Sequence, residues 1–183
     1  MKKIRNIEIK SNIRTVPNFP KKGVMFRDIT TVLSNEKIFK KIINSIANIA
    51  KKKKINKIIG IDSRGFIIAA PIAYKNKLPL ILVRKKGKLP GRTYKIKYAL
   101  EYGFDALEIN KESINKTDRV MIIDDLIATG GTAIAAAKLV AKTNTKKIEF
   151  CFLVELQDLP GVSKIKKMGH NVTALCTFSE SEK

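Results

Sequence analysis

Residues 120–132 read VMIIDDLIATGGT, and this stretch decides how the rest of the chain is interpreted. Its first four residues form an uninterrupted apolar run, which is typical of a central strand buried on both faces of a parallel sheet. An acid pair, two glycines and two threonines then precede an alanine-rich helical pattern over residues 130–142. Because ligands bind beyond the carboxyl ends of strands in open parallel sheets, the sequence predicts a binding site at this junction.

The glycines and threonines after the acid pair suit a phosphate monoester. Glycine lets a ligand approach the backbone closely, and a helix start offers free N–H donors and the positive end of the helix dipole. The threonines add hydroxyl donors. The segment expected to hold the phosphate, named here the phosphate loop, consists of Ala128, Thr129, Gly130, Gly131 and Thr132.

Asp124 and Asp125 put two carboxylates side by side at the end of the predicted strand. Such a pair is costly unless cations or hydroxyl groups meet it. A ribose with two hydroxyls and a Mg²⁺ ion would do both, so the pair is predicted to hold ribose. Mg²⁺ would be held mainly by the substrate, with Asp124 or Asp125 as its candidate protein ligand. The alternative is that the acids only cap the loop and the glycines only turn the chain.

Short apolar runs alternate with helical patterns, which indicates an α/β fold with a central parallel sheet flanked by helices. The predicted strands are residues 57–61, 80–84, 119–125, 147–155 and 171–177. The predicted helices are residues 35–50, 64–74, 130–142 and 160–168. Residues 17–23 are expected to form a loop. Residues 85–109 break the alternation, with a hairpin as one interpretation, and an excursion of this length is usually a lid or a binding segment.

Basic residues follow two of the other predicted strands. They are Arg64 after one strand, and Arg84, Lys85 and Lys88 after the next. Carboxyl ends of parallel strands meet at one edge, so these cations are expected to converge on the site as pyrophosphate ligands. Arginine is scarce here, with 7 Arg against 30 Lys, and it binds phosphate with two parallel hydrogen bonds. The alternative is an ordinary solvated basic face.

Length and composition are those of one globular domain, so residues 1–183 are expected to form a single domain. Hydrophobic residues make up 44% of the chain, which has only 10 glycines and 6 prolines. Collagen-like, disordered and low-complexity classes are therefore excluded. The lone His170 has no partner pattern and is predicted to be structural.

The cysteines and the first residues bear on location. Cys151 and Cys176 lack metal-ligand spacing and are predicted to be small core residues in a reducing compartment. Polar residues interrupt the basic start before an apolar segment can form, so a signal peptide is not expected. The longest mostly apolar stretch, residues 65–73, is half the length needed to cross a bilayer. A cytoplasmic protein without a membrane partner is therefore predicted.

The formal net charge is +21, which taken alone would suggest nucleic acid or an anionic surface as partner. The lysines are scattered along the chain, and residues 51–54 form the only tight run. Scattered charge is typical of solvated faces, so no nucleic-acid partner is expected. The same field would steer a highly phosphorylated small substrate.

The stretch 120–132 is similar to the phosphoribosyl pyrophosphate motif of type I phosphoribosyltransferases. Four further blocks, in order, resemble the adenine-specific members of that family. They are FPKKGVMFRD at 19–28, GIDSRGF at 60–66, RKKGKLPG at 84–91 and LEYG at 100–103. The resemblance covers residues 5–177. It implies the type I fold with a flexible hood loop, adenine and phosphoribosyl pyrophosphate as substrates in purine salvage, Mg²⁺ as cofactor, and a homodimer.

The resemblance also implies roles for residues outside residues 120–132. Phe26 would stack on adenine while the backbone of Met25 and Arg27 reads the edge of the base. The family usually has a smaller aliphatic residue in place of Met25. Because the base would be recognised by the backbone there, methionine should be tolerated. Glu101, in the hood, would interact with the purine imidazole nitrogens and act in catalysis with the acid pair, with its acid or base role left open. Tyr102 and Lys88 would close over pyrophosphate and exclude water.

Two alternatives remain open at the level of sequence. The first is a phosphoribosyltransferase for another base, such as hypoxanthine or xanthine, which a comparison of turnover on adenine and oxopurines would reveal. The second is a nucleic-acid-binding regulator that keeps the fold only as a sensor. Salt-dependent binding to duplex DNA without turnover would support that alternative.

Overall fold

A computed structural model describes residues 6–99, 103–179 and 182. Within these residues the elements follow in the order α1 (Asn6–Lys10), β1 (Arg14–Pro17), β2 (Met25–Asp28), α2 (Thr30–Leu33), α3 (Glu36–Lys52), β3 (Lys57–Ile61), α4 (Arg64–Asn76), β4 (Leu80–Lys85), β5 (Thr93–Ala99), β6 (Phe104–Asn110), β7 (Arg119–Ile127), α5 (Gly131–Ala141), β8 (Lys147–Leu156), α6 (Gly161–Lys167) and β9 (Asn171–Phe178).

The main sheet has seven strands in the order β5-β6-β4-β3-β7-β8-β9. The five strands from β4 to β9 in this order are parallel, and β6 pairs antiparallel with both β4 and β5. The predicted parallel sheet flanked by helices is confirmed. The antiparallel edge exists because β5 and β6 follow each other after a short connection, which can join only antiparallel neighbours.

β7 is the middle one of the five parallel strands, a position that suits it because its apolar run offers no polar face to water. Residues 120–123 are fully buried, and alternate side chains point to opposite sides of the sheet. Met121 and Ile123 join the core under α3 and α4, whereas Val120 and Ile122 join the core under α5 and α6. The sheet therefore has helices on both faces, and the region beyond the carboxyl ends of its strands remains open for a site.

α3 illustrates how the helices attach to this sheet. Ile38, Ile42 and Ile46 recur at helical spacing and are buried, and the Asn35 side chain accepts a hydrogen bond from the backbone N–H of Ile38 (3.2 Å) at the helix start. Both cysteines are buried, as predicted. Among the described residues, no helix combines the length and apolarity that crossing a membrane requires.

Most predicted boundaries differ from the observed ones by one or two residues, and two differences bear on the site. The loop at residues 17–23 is flanked by β1 and β2, which form a separate antiparallel ribbon; four-residue strands are too short to give a clear alternating pattern. β7 extends two residues beyond the predicted end at Asp125, because Leu126 and Ile127 still pair with β8. The acid pair therefore lies inside β7, and Asp125 is two residues before the end of the strand at Ile127.

Candidate active site

The carboxyl ends of β4, β3 and β7 lie side by side and define the candidate site. Gly60 of β3 is opposite Ile123 of β7, and Ile61 is opposite Val83 of β4. The segments that follow these strands therefore leave the sheet at one edge. The sequence analysis predicted that the acid pair and the cations meet at this edge. It is also the edge at which ligands bind in parallel sheets.

The acid pair is unevenly compensated by its own chain. Asp125 is 3% exposed and forms an ion pair with Arg64, with 2.9 Å between Oδ2 and Nε. Asp124 accepts a hydrogen bond from the backbone N–H of Asp125 (2.9 Å). Burial, and then the neighbouring Asp125 carboxylate, raise the pKa of Asp124 well above its usual value. The charge on Asp124 is thus poorly stabilised unless a donor or cation approaches it.

The phosphate loop connects this acid pair to α5. Gly130 adopts a φ of +83° immediately before the helix, a conformation in which glycine carries no steric penalty. Among the described residues no side chain caps the helix start, so the first-turn N–H groups are left for a ligand. Thr129 is exposed and Thr132 is partly buried. The loop therefore presents unpaired backbone donors beside two carboxylates.

Three of the four predicted cations pair with a carboxylate, namely Arg64 with Asp125, and Arg84 and Lys85 as follows. Arg84 Nε lies 3.2 Å from Oδ2 of Asp62, and its Nη1 donates to the backbone carbonyl of Lys88 (3.1 Å). Lys85 Nζ lies 3.3 Å from Asp105 Oδ2 on β6. Arg84 thus lies beside Asp62 at the carboxyl ends of β3 and β4. Lys85 instead points toward β6.

The β1–β2 ribbon carries the residues expected to hold the base. The Phe26 ring is partly buried and meets Phe19 edge to face, with ring centroids 5.1 Å apart. The Arg27 side chain is 4% exposed and donates to the backbone carbonyls of Ser179 (3.3 Å) and Glu182 (2.6 Å). Its guanidinium also lies 4.3 Å from the Phe178 ring centre. The ribbon is therefore attached to the end of β9 by contacts between residues more than 150 positions apart in the sequence.

Some predicted residues fall elsewhere. Glu101 and Tyr102 lie outside the described residues, as does Leu100 of the same block. Within the described part of the chain, no group of three or more His, Cys, Asp or Glu side chains could enclose a metal ion. Two carboxylates at the site are consistent with an ion that takes most of its ligands from elsewhere.

Sequence reasoning missed two residues that belong to the surroundings of the phosphate loop. Tyr98 of β5 lies close enough to Thr132 to affect its own ionisation, and burial raises the pKa of its phenol. Alternation along β5 could have indicated it, since Tyr94, Ile96 and Tyr98 all pack on one core. Gly161 at the start of α6 touches the loop from the other side. No local pattern marks Gly161, because it lies 31 residues beyond Gly130 in the sequence.

Comparisons with known proteins agree with this geometry. Residues 28–173 match the family model of the phosphoribosyl transferase domain. An adenine phosphoribosyltransferase of Nitrosomonas europaea is 48% identical over 174 residues, which cover 95% of this chain and all of the relative.

Solved structures agree as well. The adenine phosphoribosyltransferase of Thermoanaerobacter pseudethanolicus is 43% identical with a TM-score of 0.85, covering 94% of this chain and 99% of that chain. The enzyme of Saccharomyces cerevisiae, crystallised with D-2,5-dideoxy-2,5-imino-altritol 1,6-bisphosphate and adenine, is 36% identical with a TM-score of 0.86 and covers 93% of this chain and 97% of that chain.

Proposed function

This chain belongs to the phosphoribosyltransferase family and is similar over nearly its whole length to adenine phosphoribosyltransferases; on that basis we infer that it transfers the 5-phosphoribosyl group of phosphoribosyl pyrophosphate to adenine. The products are AMP and pyrophosphate, so the enzyme is a pentosyl transferase of purine salvage. The observation that carries the inference is the acid pair at the end of β7, followed by the open helix start at Gly130.

A turnover assay with three bases tests this function. The protein is mixed with phosphoribosyl pyrophosphate, Mg²⁺ and adenine, hypoxanthine or xanthine, and nucleotide formation is followed. We expect AMP from adenine, with kcat/KM for either oxopurine lower by at least about 100-fold, because polar groups matched to one base edge reject another. A preference for an oxopurine would contradict the inference. Absence of turnover with salt-dependent binding to duplex DNA would favour a regulator.

In the proposed chemistry, adenine N9 forms a bond to C1 of the ribose while the bond from C1 to the pyrophosphate oxygen breaks. The electron pair of that bond leaves with pyrophosphate, and the N9 proton is released. The residues proposed for the 5-phosphate are Ala128, Thr129, Gly130, Gly131 and Thr132. Free first-turn N–H groups of α5 support this assignment, because they bind phosphate without a reorganisation cost.

Asp124 and Asp125 are proposed to accept hydrogen bonds from the two ribose hydroxyls. The raised pKa of Asp124 supports this role, because an uncompensated carboxylate gains most from a donor that a ligand supplies. Asp125 already pairs with Arg64, with 2.9 Å between Oδ2 and Nε. Substrate binding would thus complete a set of contacts that the chain leaves unfinished.

The proposed pyrophosphate ligands are Arg64, Arg84, Lys85, Lys88 and Tyr102. For the two arginines, the ion pairs with Asp125 and Asp62 support the assignment, since they hold the guanidinium groups at the strand ends where negative charge develops on the leaving group. Glu101 is proposed to contact the imidazole nitrogens of adenine. A hood formed by residues around it would exclude water from the reacting C1.

Adenine is proposed to bind on the β1–β2 ribbon, with Phe26 stacked on the base and the backbone of Met25 and Arg27 on its edge. The edge-to-face contact with Phe19 supports this, because it holds the Phe26 ring in one orientation. Stacking on an aromatic ring stabilises a bound base by about 1–3 kcal/mol.

Mg²⁺ is proposed as the cofactor. Hard divalent cations take oxygen ligands, and Asp124 or Asp125 would supply the protein oxygen while substrate oxygens supply the others. When bound, the ion would neutralise charge on the departing pyrophosphate.

A homodimer is proposed, and an apolar stripe on α4 supports it. Ile67 and Tyr74 are 45% and 89% exposed, and with Ala70 and Pro71 they follow the spacing of one helix face. A second copy of the chain is the occupant we propose for this stripe. Sedimentation should give about twice the 20.5 kDa chain mass, and Tyr74→Glu should shift it toward the monomer; a monomeric wild type would contradict the proposal.

We further propose that residues 1–183 are one domain in the cytoplasm, without a membrane or nucleic-acid partner. Two core clusters on opposite faces of one sheet support the single domain. Both cysteines are free and buried, and unpaired cysteines of this kind are ordinary in a reducing compartment, which supports the location.

A further inference from the structure

The phosphate loop rests on the first residue of α6, a segment that the proposed chemistry does not use. The backbone N–H of Gly161 donates to the carbonyl oxygen of Ala128 over 3.0 Å. Three residues further along α6, Lys164 Nζ lies 3.4 Å from the carbonyl oxygen of Thr129. Two consecutive carbonyl groups of the loop, those of Ala128 and Thr129, are thus held by residues of α6.

The contact with Gly161 is backbone against backbone and leaves no space for a side chain. An ideal Cβ on Gly161 would lie 2.4 Å from the Ala128 carbonyl oxygen and 3.0 Å from the Gly130 nitrogen. In return, an ideal Cβ on Gly130 would lie 2.7 Å from the Gly161 Cα. The 2.4 and 2.7 Å distances are shorter than real contacts of a Cβ, so one of the two segments would have to move.

The partner of the loop is itself fixed. Ile165, one turn after Gly161, is fully buried in the core between α5 and the sheet, and α6 is bounded by β8 and β9 of the main sheet. Because close-packed cores deform little, we expect a side chain at position 161 to displace the loop, in which Ala128 is partly buried and Thr129 exposed, and not α6.

We propose that Gly161 is a positioning residue for the 5-phosphate site, which sets the position of the loop backbone by docking against Ala128 and Gly130. This inference rests on the proposed function of the loop. It predicts an effect confined to the phosphoribosyl substrate, because the β1–β2 ribbon proposed for adenine has no described contact with α6.

The test compares Gly161→Ala with Gly169→Ala. Gly169 follows the same helix, adopts a φ of +83° and would have nothing within 4 Å of a Cβ, so its substitution adds the same methyl group, with backbone strain of its own, without touching the loop. For Gly161→Ala we expect the KM for phosphoribosyl pyrophosphate to rise by about 10-fold or more, since shifts near 1 Å weaken such sites to this extent. The KM for adenine should stay within about twofold of wild type in both variants.

Ligand binding without turnover gives an independent readout. Stabilisation against thermal unfolding by ribose 5-phosphate should be reduced in Gly161→Ala and retained in Gly169→Ala. An unchanged KM for phosphoribosyl pyrophosphate in folded Gly161→Ala would overturn the inference, as would equal losses for both substrates. A wild type that binds ribose 5-phosphate but forms no AMP would contradict the proposed function alone.

A second pair of variants applies if Gly161→Ala does not fold. Lys164→Ala removes the contact with the Thr129 carbonyl, and Lys167→Ala removes the same charge from the same helix further from the loop. Both side chains are exposed, so folding should persist. We expect the KM for phosphoribosyl pyrophosphate to rise by about two- to threefold in Lys164→Ala only, the effect of one exposed polar contact. Equal values in the two variants would overturn the inference.

Discussion

Asp28 in the β1–β2 ribbon and Asp124 at the end of β7 are both carboxylates at strand ends, yet their environments differ. Asp28 accepts hydrogen bonds from the backbone and hydroxyl of Thr30 (2.9 and 2.6 Å) and pairs with Arg14. The Thr30 hydroxyl, Arg14 and the Thr30 backbone lower the pKa of Asp28 to about 2. Burial and Asp125 instead raise the pKa of Asp124.

The difference separates a structural carboxylate from one that awaits a ligand. The fold supplies every partner of Asp28, so its charge stabilises the ribbon. For Asp124, which is partly buried, the fold supplies the like charge of Asp125, so its ionised form is disfavoured until hydroxyl groups or a cation arrive. Functional sites tend to keep such uncompensated groups at the expense of stability.

We expect the largest effect from a double variant that removes the charges of both Asp124 and Asp125. Asp124→Asn with Asp125→Asn should lower kcat/KM for AMP formation by about 1,000-fold or more, because both proposed ribose acceptors are lost. The circular dichroism spectrum should stay that of wild type. A matched control is Glu36→Gln with Glu112→Gln, the same charge change on exposed residues. Activity within tenfold of that control would refute the site assignment.

The second largest effect is expected from a variant that tests whether the β1–β2 ribbon binds adenine in addition to its structural role. Phe26→Ala should raise the KM for adenine by about 10- to 100-fold, through the loss of stacking. The KM for phosphoribosyl pyrophosphate is the internal control and should change by less than about threefold, since the ribbon is a separate sheet. Equal increases for both substrates would show that the ring only supports the fold.

A smaller effect concerns stability at the site. Asp124→Asn should increase the free energy of unfolding at pH 7 by about 1 kcal/mol while lowering activity. A carboxyl whose pKa is raised in the folded state costs stability once pH exceeds its unfolded pKa of about 3.9, so the gain should grow above pH 4 and vanish below it. Urea unfolding at several pH values measures this. A loss of stability at neutral pH would mean that the charge is already compensated.

The smallest effect is the opposite change in the ribbon. Asp28→Asn should lower the free energy of unfolding at pH 7 by somewhat less than about 1 kcal/mol, since Arg14 is largely exposed and solvent screens its pair. A lowered folded-state pKa gives stability that is present above pH 4 and is lost as pH falls toward 2. The difference from wild type should therefore vanish over that window. A difference that persists at pH 2 would contradict the charge-based explanation.

Local sequence was sufficient wherever one element carries its own signal. The apolar run at 120–123, the helical spacing of isoleucines in α3 and the glycines after the acid pair each state their structure within a few residues. The strand and helix order came from these patterns, and with it the edge where Asp124 and Arg84 lie near the ends of their strands and Arg64 follows its strand. Ordered motifs of the family added the substrate.

By itself the sequence determined the α/β fold, the family and the candidate phosphate loop, because periodicity and motif spacing act over short distances along the chain. Only the tertiary structure decided which groups compensate each other. Gly161 lies against Gly130, Arg27 reaches the carbonyls of Ser179 and Glu182, and Asp62 holds Arg84. Hydrogen bonds, steric fit and pKa values depend on separations of a few ångströms in space, and residues far apart in sequence reach such separations only when the whole sheet has formed.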